Sequence, residues 1–481
     1  MLTMCGAGTN VRRPTTVDML PDNVLLETFD FFKEHRDHRM LVWEEWQILV
    51  HVCQRWRRIV FASPNRLDLQ ILCTDRTPVS KNLYIWPAFP IVIDYHRRDS
   101  NYSSTGQDNV IAALRHPNRI IDIRLDVTSS QLRKIFRRMK KQFPVLSNLK
   151  IISKGVNAPD LPAKFLTSSA PRLQSLYLRR IPLPTLPTLL LSTNDLSHLH
   201  LHKIPTTGYI PPEAMVTCLI ALPRLHQLTI VFQSATSHPD LIGPPPVTRV
   251  VLPVLNWFKF QGASEYLEDL TARIDCPQLD QIIIEYLYHF GDLQVAQLST
   301  FIDRSVGPKL TLCKHAQVTF HRREVSFTMF PFRESGPTIT TIKCVGINRQ
   351  VFHLAQVLSQ FSATLSYVIH LKLYTWPDDS RSEYMSNAAN AEWLPLLRLF
   401  SVAQTLYVSS KLARGVTLAL EDITAEMVAE VLPSLGFIYL VHRPASHIEK
   451  FAAARRLSGH PVTVTTNETE YYRRFRSYVG K

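Results

Sequence analysis

One spacing limits what this chain can fold into more than any other feature. An aliphatic residue is followed at +3 and +5 by further aliphatic or aromatic residues, and the pattern recurs from about residue 85 onward. The clear copies start at Ile120 (with Ile123 and Leu125), Leu146 (Leu149, Ile151), Leu173 (Leu176, Leu178), Leu196 (Leu199, Leu201), Leu225 (Leu228, Ile230), Leu255 (Phe258, Phe260) and Leu279 (Ile282, Ile284). Successive starts lie 26, 27, 23, 29, 30 and 24 residues apart. The last two residues of each triplet fall on one face of a short strand. A unit of this size cannot bury an apolar face alone, so neighbouring units must stack to make a continuous core.

Five of these starts follow a proline by two residues: Pro144, Pro171, Pro223, Pro253 and Pro277. Proline cannot sit mid-strand, and here it is expected to close the preceding helix. Leu435 with Ile438 and Leu440, after Pro433, is a late copy. Between 300 and 410 the pattern blurs, with Ala316-Val318-Phe320, Val368-Leu371-Leu373 and Leu406-Val408 as candidate strands. The physical reading is an α/β leucine-rich-repeat solenoid, parallel strands on the concave side and helices outside. The competing reading is an ordinary α/β domain with buried strands.

With 481 residues the chain is too long for one ordinary domain unless most of it is a repeat array. Hydrophobic residues at 45% against 20% charged fit a globular class. Seven cysteines (Cys5, Cys53, Cys73, Cys218, Cys276, Cys313 and Cys344) occur singly, which points to reduced thiols and a cytoplasmic or nuclear setting. No apolar run approaches the length of a membrane span, and the first residues lack a basic-then-apolar signal pattern. The net charge is +14, but residues 1–70 hold nine basic and nine acidic residues. The excess therefore lies in 71–481, a cationic body suited to an acidic partner or to nucleic acid.

Near the start, Leu20-Pro21-Asp22-Asn23-Val24-Leu25-Leu26 opens a predicted helix with Leu20, Val24, Leu25, Phe29 and Phe32 on one face. A second run sets Leu49, Val52, Cys53, Trp56, Ile59 and Val60 on another helical face. A module this small cannot bury two full apolar stripes, so part of that surface is expected to meet another protein. These residues resemble the F-box, the segment by which substrate receptors dock onto the Skp-type adaptor of cullin ubiquitin ligases. The family pattern of Leu-Pro, an aliphatic pair, then Val-Cys-x-x-Trp reads here as Leu20-Pro21, Val24-Leu25 and Val52-Cys53-x-x-Trp56. The segment Lys33 to Trp46 between the halves is longer and more charged than the usual connection.

The irregular period is similar to fungal F-box proteins with degenerate repeats. The likeness rests on Trp86-Pro87-Ala88-Phe89-Pro90 leading into Ile91–Tyr95, on Asn109 through His116, and on the run Phe451 to Pro461. It implies a small all-α F-box at 17–70 after a tail at 1–16, a repeat domain with a helix–strand cap at 71–465, and a tail at 466–481. It also implies a non-catalytic substrate receptor of a Skp–cullin–F-box ligase, without naming a substrate. Adaptor contacts are expected from Leu20, Pro21, Val24, Leu25, Phe29, Leu49, Val52, Cys53, Trp56 and Ile59. The alternatives are an F-box scaffold acting outside a ligase, and a basic repeat-domain binder of nucleic acid or acidic surfaces.

In such repeats the residues between the core aliphatics face the concave side. Tyr177, Arg179, His200, Trp257 and Lys259 are the candidate substrate contacts, since Tyr, Trp and Arg anchor interfaces. His198-Leu199-His200-Leu201-His202 sets three imidazoles on one face. Same-face neighbours along a strand lie roughly 6.5–7 Å apart, too far for three rings to close on one metal, so no metal or other cofactor is expected. Those histidines instead suggest pH-dependent binding. Gln131 to Lys141 holds six basic residues on a predicted outer helix with Leu132, Ile135, Phe136 and Met139 beneath. No aromatic stacking pattern accompanies it, so nucleic acid is not the expected partner. Tyr471 to Arg476 is either a docking tail or a frayed end. No hydrolase, metalloprotease or phosphate-loop motif is present, so no enzyme activity is expected.

Overall fold

The computed structural model describes residues 16–34, 45–74, 79–95, 104–155, 157–162, 165–168, 170–234, 248–287, 295–321, 324–331, 340–345, 350–375, 390–421, 430–440 and 447–466. The chain forms two compact units, Met1–Arg124 and Leu125–Lys481. Tyr471–Arg476 and most of the Lys33–Trp46 connection lie outside the described residues.

The first unit opens with helices α1 (Asp22–Glu34), α2 (Glu45–Val52) and α3 (Gln54–Ala62). Leu25, Phe29, Leu49, Val50, Ile59 and Val60 are buried at 4% exposure or less. The second run is not one helix, as its apolar periodicity suggests. Cys53 interrupts it in extended backbone and caps α3, its Sγ accepting the Trp56 N–H at 3.4 Å. The break turns Val52 out to 54% exposure, off the stripe that holds Leu49. Arg55 ties α3 to the start of α1. Its Nε and Nη2 donate to Asp22 Oδ1 at 3.0 and 2.6 Å, and Nη2 also donates to the Leu20 carbonyl at 2.6 Å. The Phe29 and Trp56 rings meet at 4.8 Å. Trp46, Phe61, Trp86 and Phe89 form an aromatic cluster, with Trp46 lying 5.3 Å from Trp86 and 5.6 Å from Phe89. It joins the helices to the parallel pair β1 (Ile71–Cys73) and β2 (Ile91–Tyr95). Strand β3 (Ile120–Val127) carries the chain into the second unit.

The second unit is a stack of strand–helix repeats. Strands β4 (Asn148–Ser153), β5 (Ser175–Arg179), β6 (His198–Ile204) and β7 (Gln227–Phe232) pair in parallel in that order. A small separate pair, β8 (Val250–Val251) with β10 (Ile274–Asp275), flanks β9 (Trp257–Gly262), which pairs with β7 and with β11 (Gln281–Leu287). Each strand of the main row from β4 to β11 begins two residues after a predicted repeat start. The aliphatics and aromatics at +3 are core: Leu149, Leu176, Leu199, Leu228, Phe258 and Ile282 are at most 1% exposed. Fully burying such a side chain contributes roughly 1.5–3 kcal/mol.

Two local devices repeat with the strands. The proline is the second residue of a turn; Pro223 comes two residues past the C-cap of helix Pro212–Ile220, whereas Pro144 lies well beyond Phe136, where its helix has already ended. Leu146 N–H donates to the Phe143 carbonyl at 3.3 Å, Leu173 to Ala170 at 3.0 Å, Leu225 to Leu222 at 3.2 Å and Leu279 to Cys276 at 3.1 Å. Proline suits that position because its fixed φ matches the turn. One carbonyl then accepts two consecutive N–H groups from the next repeat. Ser147 takes Gln174 and Ser175, Gln174 takes Ser197 and His198, Ser197 takes His226 and Gln227, and His226 takes Asn256 and Trp257. This ladder satisfies backbone polar groups at every repeat joint.

The blurred region holds strands β12 (His315–Phe320), β13 (Glu324–Phe330) and β14 (Thr340–Val345), followed by β15 (His370–Thr375). The first and last coincide with predicted strands. β13 runs antiparallel to both β12 and β14, whereas β14 is parallel to β11 and β12 is parallel to β15. One reversed strand is therefore inserted into an otherwise parallel array, and the repeat pattern is lost there because β13 and β14 serve a hairpin. Parallel order resumes through β16 (Thr405–Val408), β17 (Phe437–Leu440) and β18 (Thr463–Thr465). Helix His447–Leu457 closes this end. Its Arg455 is fully buried and donates to the Pro433 and Leu435 carbonyls at 3.1 and 3.0 Å. The unit is thus mixed α/β with a large, mostly parallel sheet and the organisation of a leucine-rich-repeat-like solenoid. The basic helix is shorter than predicted, Ser129–Phe136, with Leu132, Ile135, Phe136 and Met139 buried and the basic residues exposed.

Candidate functional site: the open face of the repeat sheet

Alternation along the strands leaves a second row of side chains opposite the core. The register aligns them laterally. Lys150 faces Tyr177, Tyr177 faces His200, His200 faces Thr229 and Thr229 faces Lys259. The row continues through Ile283, Thr341, Thr328, Gln317, Lys372, Tyr407, Tyr439 and Thr465.

The residues singled out in the sequence meet here. The Tyr177 ring stacks on His202 at 4.9 Å and lies 6.1 Å from His200. From the other side Trp257 meets His200 edge-on at 6.3 Å. The Lys150 ammonium sits 5.0 Å from the centroid of the Tyr177 ring, a cation–π contact. His200 Nδ1 is hydrogen-bonded to the Thr229 hydroxyl at 2.8 Å. Lys259 pairs with Glu285 at 3.0 Å, and Lys343 approaches the same carboxylate at 3.5 Å. Arg179 faces His202 in the register. Tyr177, Arg179, His200, Trp257 and Lys259 are all half-buried rather than fully exposed.

Electrostatics revise the expected histidine switch. Burial, then the charges of His198 and Lys150, push His200 down to about 4. His202 is held at about 4 by burial, His200, Lys259, Arg179 and Lys150. Both rings are neutral at physiological pH and do not titrate near neutrality, so the site offers uncharged imidazoles beside fixed cations. Tyr177 is raised by burial, with Arg179 opposing. Among the described residues no group of three or more His, Cys, Asp or Glu is placed to hold a metal ion. Burial pushes the thiols of Cys218 up to about 11 and of Cys313 and Cys344 up to about 12, which keeps them protonated.

The sequence did not flag a second cluster further along the face. His315 stacks on His370 at 4.6 Å and on Phe330 at 5.9 Å. Lys372 lies over the rings of Tyr374 and Tyr407, at 5.5 and 5.4 Å. Its strands were legible, but the hairpin that brings Phe330 beside His315 was not.

In the first unit the helical candidates divide by exposure. Leu25, Phe29, Leu49 and Ile59 are core, Leu20, Val24, Cys53 and Trp56 are half-buried, and Pro21 and Val52 are exposed. Met19 at 65% and Ile48 at 62% are exposed apolar residues that the periodicity missed. Ile48 and Val52, four residues apart on α2, share one face.

No protein-family model and no curated protein matches the sequence. A solved structure similar to this chain is a leucine-rich repeat-containing protein from Legionella pneumophila. It is 11% identical over 82% of this chain and 99% of that one, with a TM-score of 0.25. At that TM-score the likeness decides nothing, and the account of the fold rests on the strand register and the repeat-joint hydrogen bonds.

Proposed function

We propose that the chain is a non-catalytic recognition subunit. Its N-terminal helices dock the Skp-type adaptor of a cullin ubiquitin ligase, and the open face of the repeat sheet holds a protein substrate. The observation that carries the first half is the F-box-like order Leu20-Pro21, Val24-Leu25 and Val52-Cys53-x-x-Trp56, with Met19, Ile48 and Val52 exposed beside it. Apolar side chains left in water on a small helical module favour a protein partner. Tyr177, Arg179 and Trp257, side-chain types that anchor interfaces, support the second half. A receptor of this kind contributes proximity, while ubiquitin transfer belongs to other subunits.

The test is co-purification of the full chain with a Skp-type adaptor, wild type against Ile48→Asp/Val52→Asp and against Leu20→Ala/Pro21→Ala. Both double variants are expected to lose the adaptor. Ile48 and Val52 are exposed, so their change should leave the melting profile intact. Undiminished adaptor capture by both variants refutes the docking assignment.

A further inference from the structure

The ends of β5 and β6 hold cations in an unusual way. Arg180, just past β5, and Lys203, within β6, have φ of 57° and 50°. Long side chains avoid this left-handed region because Cβ crowds the following carbonyl. Lys203 lies where the β6–β7 register shifts, between Leu201 and Ile204. The Arg180 N–H donates to the His202 carbonyl at 2.9 Å, which holds the two strand ends together. Arg179 faces His202 in the same register.

Three half-buried cations therefore gather at one corner of the open face, beside the Tyr177–His202 stack and the Lys150 ammonium. Burial first, then the charges of Arg179 and Arg180, depress the Lys203 ammonium. Among the described residues no carboxylate is ion-paired with Arg179, Arg180 or Lys203; on this face Asp126 lies on β3, two strands from β5, and Glu285 lies on β11, four strands from it, where Lys259 and Lys343 share it. Like charges held together, partly desolvated and on unfavourable backbone, are uncompensated within the fold.

We propose that this corner binds an acidic peptide segment of a partner protein, its carboxylates between Arg179, Arg180 and Lys203 and an adjoining apolar residue beside Tyr177. The inference rests on reading the open face as the recognition surface, though not on the adaptor or the ligase. Charge complementarity selects the anion. The aromatic geometry selects peptide over nucleic acid. Tyr177 is stacked by His202 and approached by Lys150, and Trp257 is turned edge-on to His200, so no successive free ring faces await bases.

The experiment is fluorescence polarisation on the full chain with a short labelled peptide alternating Glu and Leu, its Gln-for-Glu counterpart, and single-stranded oligouridylate. Saturable binding of the Glu peptide, weakened by salt, is expected. Arg180→Gly/Lys203→Gly should weaken it by at least about tenfold, with a melting temperature unchanged or higher because glycine accepts positive φ. Arg179→Gln, which leaves that backbone alone, should weaken it in the same direction. Equal binding of the Gln peptide, tighter binding of oligouridylate, no saturable peptide binding, or wild-type affinity in both variants overturns the proposal. Adaptor capture is measured on the same preparations. In the wild-type chain, failure to capture the adaptor with peptide binding present overturns the docking assignment alone, and adaptor capture without saturable peptide binding overturns the acidic-peptide site alone. The Arg179, Arg180 and Lys203 variants are expected to capture the adaptor as wild type does.

Discussion

Glu268→Ala is expected to loosen the joint between two consecutive repeats. Glu268 lies on helix Ser264–Arg273, but its carboxylate works on the next helix, Ala296–Ser305. Val295 at the N-cap of that helix offers no side-chain bond. Glu268 replaces it in trans, Oε2 accepting the Gln297 N–H at 2.8 Å and Oε1 the Leu298 N–H at 2.9 Å. Hydrogen bonds to a charged acceptor contribute about 1.5–3 kcal/mol each, and a carboxylate at a helix N-terminus adds about 0.3–1 kcal/mol. Burial raises the Glu268 pKa, with the two backbone bonds opposing, so desolvation offsets part of that gain. The net loss for alanine should be about 2–4 kcal/mol, because two donors are left without a partner. Glu268→Gln keeps one acceptor and should lose roughly half as much. Urea unfolding gives the global change, and hydrogen exchange over 296–305 localises it, which matters because repeat arrays need not unfold in one step. A loss below about 0.5 kcal/mol for alanine, the range of ordinary surface substitutions, would refute the trans-capping account.

Acid should act on the second cluster. Burial, and for His315 also the charge of His370, holds these rings at about 3 and about 4. Both lie below the roughly 6.5 of an unfolded histidine, so the unfolded chain takes up protons first as pH falls. The stabilisation is fully present above about 6.5 and is lost toward pH 4. From pH 7 to 5, wild type should lose on the order of 2 kcal/mol more than His315→Gln/His370→Gln, after discounting the partly exposed His370; identical urea-midpoint shifts in the two proteins would contradict this. Gly208→Ala brings a Cβ to 2.9 Å from Pro182 Cα and 3.0 Å from the Leu183 nitrogen. Backbone cannot swing aside as a side chain does, so roughly 1–3 kcal/mol should be lost, read as a fall in melting temperature, and an unchanged melt would show that the turn relaxes freely.

The open-face candidates were legible to different degrees. Strand alternation placed Tyr177, Arg179, His200, Trp257 and Lys259 on one side, and the register keeps them there. Their state was not legible. Periodicity carries no information on cross-strand partners, so the His202 stack on Tyr177 and the hold of Glu285 on Lys259 appear only when neighbouring repeats are side by side. The same ignorance made His200 look like a sensor near neutral pH, when desolvation by its neighbours takes it down to about 4. In the helical module, periodicity ran Leu49 and Val52 into one stripe because it cannot see a helix break, at Cys53, that leaves hydrophobicity unchanged.

The repeat itself was determined by sequence alone. Aliphatics at +3 and +5 behind a Pro-x-Leu turn specify where each strand starts and which side is buried, since those are local consequences of pleat and turn geometry. Tertiary structure decided what depends on residues far apart in the chain. β14 rather than β12 takes the place beside β11, and β12 pairs instead with β15, although β12, β13 and β14 follow one another between β11 and β15 in the chain. Glu268 caps a helix 29 and 30 residues away. Arg179, Arg180 and Lys203 become one cationic corner only because stacking sets the end of β5 against β6. Local pattern fixes the face a side chain takes; its charge state and its partners come from the neighbours that stacking supplies.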